Sequence, residues 1–259
     1  MGLLTDCSKL WEGVYKRGKV RPRSGPLLLG SAFDAMAERL LTTHWRGGWV
    51  TVEQAAYWFA DAWDREMCRP EPVEWAGRNP ATIMADGIAL SSAPATLAAL
   101  RGLKLAPHPD NPDDPALQVR VELNVPGVSV PVVGYVDAIA KGPRAGDLHL
   151  IDFKTAGRRW VKGRERKELQ ARVYTGALWQ AGTSFAHLSF AYWVFVPGIT
   201  PEACAVHKLD TLLSERDVLQ SMAMLARAWK QVQSGAFPGN PHAYACNTTC
   251  PCWDECFGP

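Results

Sequence analysis

The chain lacks the signals that would place it in a membrane or direct it out of the cell. No apolar run in its 259 residues reaches the roughly 20 residues that a membrane-spanning helix needs. Residues 1–9 also lack the basic segment, apolar stretch and small-residue cleavage site of a secretory signal. We therefore expect a cytoplasmic protein that makes no membrane contact.

The chain also has little net charge, no internal repeat and no low-complexity segment. Its formal net charge is only +2, so a nucleic-acid-binding function would have to rest on local basic clusters. Hydrophobic residues make up 47% of the sequence, which is enough for a sizeable core. We predict one domain over residues 1–259, with a mainly helical part (1–106), a strand-containing core (116–235) and a cysteine-rich tail (240–259).

The spacing of apolar residues predicts helices first and a small sheet afterwards. Periodicity of the helical kind follows Ser31, a candidate N-cap, and recurs over about 52–67 and 80–100. Alternating or β-branched runs then predict strands, with helices between and after them. The expected strands are 117–125, 128–140, 148–154, 185–196 and 203–209, and the expected helices are 162–181 and 214–234. This order predicts an α/β fold, a small mixed sheet flanked by helices.

Two carboxylates and a lysine stand near the ends of two neighbouring predicted strands. Asp137 ends the apolar run Gly134-Tyr-Val-Asp137, and Asp152 and Lys154 belong to Ile151-Asp-Phe-Lys154. Residues i and i+2 of a strand share a face, so Asp152 and Lys154 point the same way. If the strands pair, Asp137 lies beside Asp152. Paired carboxylates can hold Mg²⁺ or Mn²⁺, and a lysine can orient a water or steady a phosphate charge. Alternatively, Asp152 and Lys154 form an ordinary surface ion pair.

Three motifs in this order resemble the PD-(D/E)XK nuclease superfamily, and within it the RecB-like exonucleases, which include CRISPR-associated, phage and AddB-type members. Gly134–Asp137 resembles the G-x-h-D motif, Ile151–Thr155 the h-h-D-x-K motif and Gln170–Tyr174 the Q-x-x-x-Y motif. The resemblance implies a restriction-endonuclease-like core in a protein of a prokaryotic or phage-infected cell. It also implies a Mg²⁺- or Mn²⁺-dependent exonuclease for single-stranded or end-containing DNA, with Gln170 and Tyr174 in the catalytic site. Proteins of recombination, replication or CRISPR adaptation are implied partners.

The resemblance also implies further metal ligands. Leu29–Glu38 resembles the helix that supplies a metal-binding histidine in RecB-like members, and Asp34 occupies that position here. Aspartate ligates Mg²⁺ and Mn²⁺ well, so Asp34 joins Asp137 and Asp152 as an expected ligand, and Glu122 on the first strand is a further candidate. Both added positions could equally lie on solvated faces. The departure from histidine leaves open a non-catalytic protein that keeps the fold and binds DNA or a partner.

Four of the seven cysteines crowd into the last fourteen residues, at Cys246, Cys250, Cys252 and Cys256. In a reducing compartment such clustering favours a metal over disulfides. The tail resembles that of the iron–sulfur members of the family, in which three late cysteines join an early one. This implies a 4Fe–4S cluster on Cys7, Cys246, Cys250 and Cys256 that ties the two terminal segments together. Zn²⁺ is the alternative metal, a disulfide or free thiols are also possible, and the choice between Cys250 and Cys252 is open.

Basic residues follow the strand that carries Asp152. They are predicted to contact DNA phosphates, although a solvated helix start is the usual reading of such a run. Trp160, among them, could stack on a base of a single strand. The predicted DNA contacts are Arg158, Arg159, Lys162 and Arg164.

Overall fold

A five-stranded mixed sheet lies at the centre of the computed structural model, which describes residues 4, 6–243 and 246–258. Its strands follow chain order, and only β5 and β6 run parallel to each other. A short parallel pair, β1 with β2, lies outside it. The strands are β1 (Arg23–Ser24), β2 (Val73–Glu74), β3 (Leu117–Leu123), β4 (Val132–Lys141), β5 (Leu148–Thr155), β6 (Leu188–Val196) and β7 (Ala205–Thr211).

Helices cover both faces of the sheet. They are α1 (Ser8–Trp11, continued by a π-helical turn over Glu12–Lys16), α2 (Gly25–Trp45), α3 (Val52–Met67), α4 (Pro80–Ser92), α5 (Pro94–Arg101), α6 (Leu169–Gln180), α7 (Glu215–Ser234) and α8 (Trp253–Phe257). Phe33 of α2 packs with Phe153 and Phe195 on one face. Val173 of α6 and Leu225 of α7 belong to the core on the other. The predicted α/β class, a small mixed sheet flanked by helices, is confirmed.

Helix α2 begins earlier than the sequence pattern predicts. Ser24, not Ser31, is its N-cap, and the Ser24 hydroxyl accepts a hydrogen bond from the Leu27 N–H at 3.3 Å. Pro26 stands in the first turn, where a missing N–H costs nothing. Ser31 therefore lies inside the helix, because local capping at Ser24 extends it by two turns.

The expected helix over 80–100 is two helices. Ala93 has an extended backbone and Pro94 begins α5, because proline disfavours a helical residue before it and cannot donate a backbone hydrogen bond. No single helix in the described ranges is long and apolar enough to span a membrane. Helices α4 and α5 meet the length and composition requirement only as a pair, which bends by 51°.

The expected helix over 162–181 is also shorter, since α6 begins only at Leu169. Gly163 has a φ of +89°, a value that no helix accommodates. Turns occupy most of the seven residues before α6. The basic residues after β5 therefore lie on an irregular segment of 156–168 rather than on a helix.

Candidate active site

The pairing of β4 with β5 places Asp137 beside Asp152. Ala138 pairs with Ile151 as the last pair of the β4–β5 ladder, and Asp137 and Asp152 are the next residue of each strand. The Phe153 N–H donates to Asp137 Oδ2 at 2.7 Å. A side-chain carboxylate therefore takes the place of a backbone carbonyl at the point where the strands separate.

Asp152 and Lys154 point to the same side of β5 and form an ion pair. Lys154 Nζ lies 2.5 Å from Asp152 Oδ2, and Asp152 is only 1% exposed. Burial raises the pKa of Asp152 to about 7; Lys154 opposes this and Asp137 adds to it. Burial would lower the pKa of Lys154, but the Asp152 carboxylate and its neighbours leave that pKa raised. The site therefore has more negative charge than one lysine balances.

Helix α2 adds a third carboxylate. Gly30 approaches the end of β5 so closely that a Cβ there would lie 3.2 Å from Thr155 Oγ1. Asp34 is one turn further along, and its pKa is raised well above the usual value by burial and then by Asp137. Three acidic side chains and Lys154 thus meet in one place, as the sequence motifs predict.

Helix α6 packs on the face of the sheet opposite to α2 and contacts β4 beside the site. Gln170 Nε2 donates to Tyr174 Oη at 3.2 Å, and burial raises the pKa of Tyr174. The Tyr174 ring lies against Gly134, where an added Cβ would overlap the ring. The glycine of the G-x-h-D motif therefore makes room for the tyrosine of the Q-x-x-x-Y motif.

Two further residues belong to the site, and the sequence reasoning did not include them. Gln118 on β3 donates from Nε2 to Asp137 Oδ1 at 3.4 Å. Glu168, just before α6, helps to raise the pKa of Asp152 and pairs with Arg164 at 3.3 Å. Glu168 could have been noticed from its place two residues before Gln170, whereas nothing in the sequence marks Gln118.

Glu122 is not brought to this site. It is exposed and pairs with Arg120, its neighbour on the same face of β3. It lies four residues from Gln118, which corresponds to roughly 13 Å along a strand. The strand carries its side chain away from the other carboxylates, so the structure does not support Glu122 as a ligand.

The basic segment 156–168 leads from β5 to α6. Arg158, Arg159 and Lys162 are exposed. Trp160 is 7% exposed, packs on Tyr192 with ring centroids 5.2 Å apart, and is covered by the Arg164 guanidinium at 4.2 Å. The expectation that Trp160 stacks on a base is therefore wrong, because its ring is buried against Tyr192 and Arg164.

Five cysteines line a cavity of about 380 Å³ between the N-terminal and C-terminal segments. Cys7 packs with Cys246 and Cys250, Cys252 and Cys256 complete the set, and all seven cysteines of the chain are free thiols. Across residues 4, 6–243 and 246–258, no three His, Cys, Asp or Glu side chains are already arranged as metal ligands, in this cavity or at the acidic site.

Hydrogen bonds and ion pairs hold the two segments together around this cavity. Ser8 Oγ donates to the Pro238 carbonyl at 2.9 Å. Glu255 lies 3.1 Å from Lys9 Nζ and 2.8 Å from Arg17 Nη1, and also pairs with Lys19. These side-chain contacts hold the segment of Cys7 against the segment of Cys250 and Cys256.

No protein-family profile matches the chain, and no curated protein matches it. A crystal structure described as a "Putative exonuclease" from Eubacterium rectale has a similar fold, with a TM-score of 0.50 and 11% identity over 93% of this chain and 80% of that one. The chain therefore shares the fold of that structure. A second structure, described as SSO0001, aligns with a TM-score of 0.35 and 15% identity over 97% of this chain and 92% of that one.

Proposed function

We propose that this chain is a metal-dependent deoxyribonuclease of the RecB-like PD-(D/E)XK type, an exonuclease on single-stranded or end-containing DNA. The observation that supports this most is the meeting of Asp34, Asp137, Asp152 and Lys154 where β4 and β5 separate. The nuclease-like fold supports it as well.

The donor set fits a divalent cation. Burial raises the pKa of Asp34, Asp137 and Asp152, and repulsion from neighbouring carboxylates adds to the shift of Asp34 and Asp152. A cation would stabilise the charged forms of all three. Carboxylate oxygens are the ligands that Mg²⁺ and Mn²⁺ prefer. We assign these three residues as the ligands; the bound ion would supply an activated water and charge stabilisation at the phosphate.

The remaining side chains bind and orient the substrate in this proposal. Lys154, held by Asp152, positions the attacking water or the scissile phosphate. Gln170 and Tyr174, which are hydrogen-bonded to each other, form the wall of the site that α6 contributes. Arg158, Arg159 and Lys162 are exposed on the segment that joins β5 to α6, and they can contact phosphates without regard to base sequence.

A nuclease assay on single-stranded and blunt-ended DNA with Mg²⁺ or Mn²⁺ tests the proposal. We expect degradation by the wild type, a loss of roughly 1,000-fold or more in Asp152→Asn and a loss of about 100-fold or more in Lys154→Ala. Asp64→Asn and Lys141→Ala, exposed residues away from the site, should keep full activity. DNA binding without turnover in any divalent metal would replace the proposal with the non-catalytic alternative, and wild-type turnover in both site variants would refute it.

We further propose that Cys7, Cys246, Cys250 and Cys256 hold a 4Fe–4S cluster with a structural role. Thiolates are the ligands of such clusters, and the cavity brings these four together. Cys252 is only 1% exposed, and its Sγ donates to the Lys9 carbonyl at 3.7 Å and lies 3.6 Å from Arg17 Nη2. Cys252 thus already has polar partners in the protein, which favours Cys250 as the fourth ligand.

Anaerobic purification with an absorbance spectrum and metal analysis tests this assignment. We expect about four iron atoms per chain, lost in Cys250→Ser and kept in Cys252→Ser. Zinc in place of iron, with the same dependence on Cys250, would instead support a tetrahedral zinc site. Loss of metal in Cys252→Ser but not in Cys250→Ser would reverse the choice of ligand.

A further inference from the structure

Gln118 has a backbone conformation that residues other than glycine rarely adopt. Its φ is +48°, and among residues 4, 6–243 and 246–258 only Ala76, at +50°, shares this among non-glycine residues. A side chain in the left-handed region crowds the backbone. Such strained residues in folded proteins cluster where function requires them, so the position of Gln118 beside Asp137 calls for an explanation.

The unusual φ changes which way β3 faces. Leu117 packs in the core under the N-terminal helices, whereas Val119 packs in the core under α6 and α7. In a regular strand these residues, two apart, would share a face. The strand therefore turns over at Gln118.

Strand β4 turns over at the residue opposite. Val136 pairs with Val119 and packs under α6, while Ala138 pairs with Leu117 and packs under the N-terminal helices. Asp137 stands between them and faces Gln118. Because β3 and β4 both change face here, the Asp137 carboxylate lies between the two layers of helices. At this position it is close enough to interact electrostatically with Asp34 and Asp152.

The Gln118 side chain also acts on this carboxylate. Its amide donates to Asp137 Oδ1, and the Phe153 N–H donates to Oδ2. Each oxygen therefore has one donor, which restricts rotation of the carboxylate and leaves lone pairs free. An amide does this without adding a charge that would compete with a cation.

We propose that Gln118 is a positioning residue that holds Asp137 in the orientation needed to bind the metal. This inference rests on the proposed nuclease function and adds a residue outside the three motifs. Partners of metal ligands typically contribute 10–100-fold to metal affinity or activity. The competing explanation is that Gln118 merely shapes the sheet.

Replacement by glycine separates the two explanations. Gln118→Gly removes the amide and also relieves the strain of a positive φ, so the fold should be as stable as before or more so. Ala76→Gly is the matched control, because it relieves the same strain in an exposed turn. The readouts are thermal stability, Mn²⁺ affinity of the acidic site (the binding that Asp152→Asn abolishes), and kcat and KM on DNA.

We expect Gln118→Gly to keep the thermal stability, to bind Mn²⁺ about 10-fold or more weakly, and to lose kcat with little change in KM. Ala76→Gly should match the wild type in both binding and turnover. Gln118→Asn, which tolerates a positive φ but has a shorter side chain, should show the same loss and serves if the glycine variant does not fold.

Unchanged Mn²⁺ affinity in stable Gln118→Gly and Gln118→Asn would overturn the inference. If the wild type binds Mn²⁺ but degrades no DNA, the nuclease proposal fails. Weaker Mn²⁺ binding in the Gln118 variants would then still support the positioning role, so the two failures are distinguishable.

Discussion

Two aspartates, one just before β5 and one in its second half, are in opposite electrostatic situations. Asp147, just before the strand, accepts from Arg144 Nε at 3.0 Å and lies 2.7 Å from His187 Nδ1, and these partners lower its pKa to about 2. Asp152, about 17 Å along the strand, has Lys154 as its ion-pair partner and other carboxylates nearby, and its pKa is raised to about 7.

This difference distinguishes a carboxylate that stabilises the fold from one that is prepared for a ligand. Asp147 is satisfied by donors of the protein itself, so its charge favours the folded state. Asp152 is buried among other acids, so its charge opposes folding unless a cation joins it. Perturbed groups of this second kind concentrate at functional sites.

The largest expected effect is the contrast between Asp152→Asn and Asp147→Asn in nuclease activity. Asp152→Asn should lose roughly 1,000-fold or more in turnover, since it removes a proposed metal ligand. Its metal-free melting temperature should change little, because loss of the ion pair with Lys154 offsets the removal of a buried charge. Asp147→Asn should show the reverse, with near-normal turnover and a lower melting temperature. Parallel behaviour of the two variants in both measurements would contradict the comparison.

A second test adds a methyl group on β4 beside the acidic site and leaves Asp147 unchanged. Gly134→Ala should push the Tyr174 ring away from β4, costing about 1–3 kcal/mol of stability and roughly 10-fold or more in turnover. Urea unfolding and a nuclease assay measure both. Gly157→Ala is the control, because nothing lies within 4 Å of a Cβ at that position. Full activity in Gly134→Ala would show that the contact between α6 and β4 does not matter to the site.

The sequence predicted much of this architecture because its signals are local. The alternation in 117–125 and the motif Ile151-Asp-Phe-Lys154 require only neighbouring residues, and both proved to be strands. The α3 boundaries were expected at about 52–67 and fall at Val52–Met67, where a Thr51 capping box begins the helix.

What the sequence did not predict depends on contacts between distant segments. Trp160 is covered by Tyr192 from another strand, and Gln118 owes its role to Asp137 across the sheet. Glu122 carries a carboxylate like the other candidate ligands, yet its position on β3 takes it away from them. Burial and strand register both depend on residues that are distant in the sequence. A local motif can therefore locate the site, but it does not determine which residues at the edge of the site take part.

A smaller effect is expected from the basic segment that follows β5. The double variant Arg159→Ala/Lys162→Ala should weaken DNA binding by the same factor for different sequences and reduce the slope of log affinity against log salt by about 2. Fluorescence anisotropy between 50 and 200 mM salt, roughly the range over which counterion release is measurable, would show this. Arg46→Ala, an exposed arginine that pairs with Asp114, is the control. An unchanged salt slope would remove Arg159 and Lys162 from the DNA contacts.

The smallest effect is the pH dependence that Asp147 contributes to stability. Its pKa is about 2 in the folded protein and about 3.9 in an unfolded chain, so folding favours the charged form. The contribution is therefore complete above about pH 4 and is lost as the pH falls towards 2. The urea midpoint of the wild type should exceed that of Asp147→Asn at pH 5, and the gap should close by pH 2. A gap that stays constant across this range would mean that Arg144 and His187 hold the residue by geometry rather than by its charge.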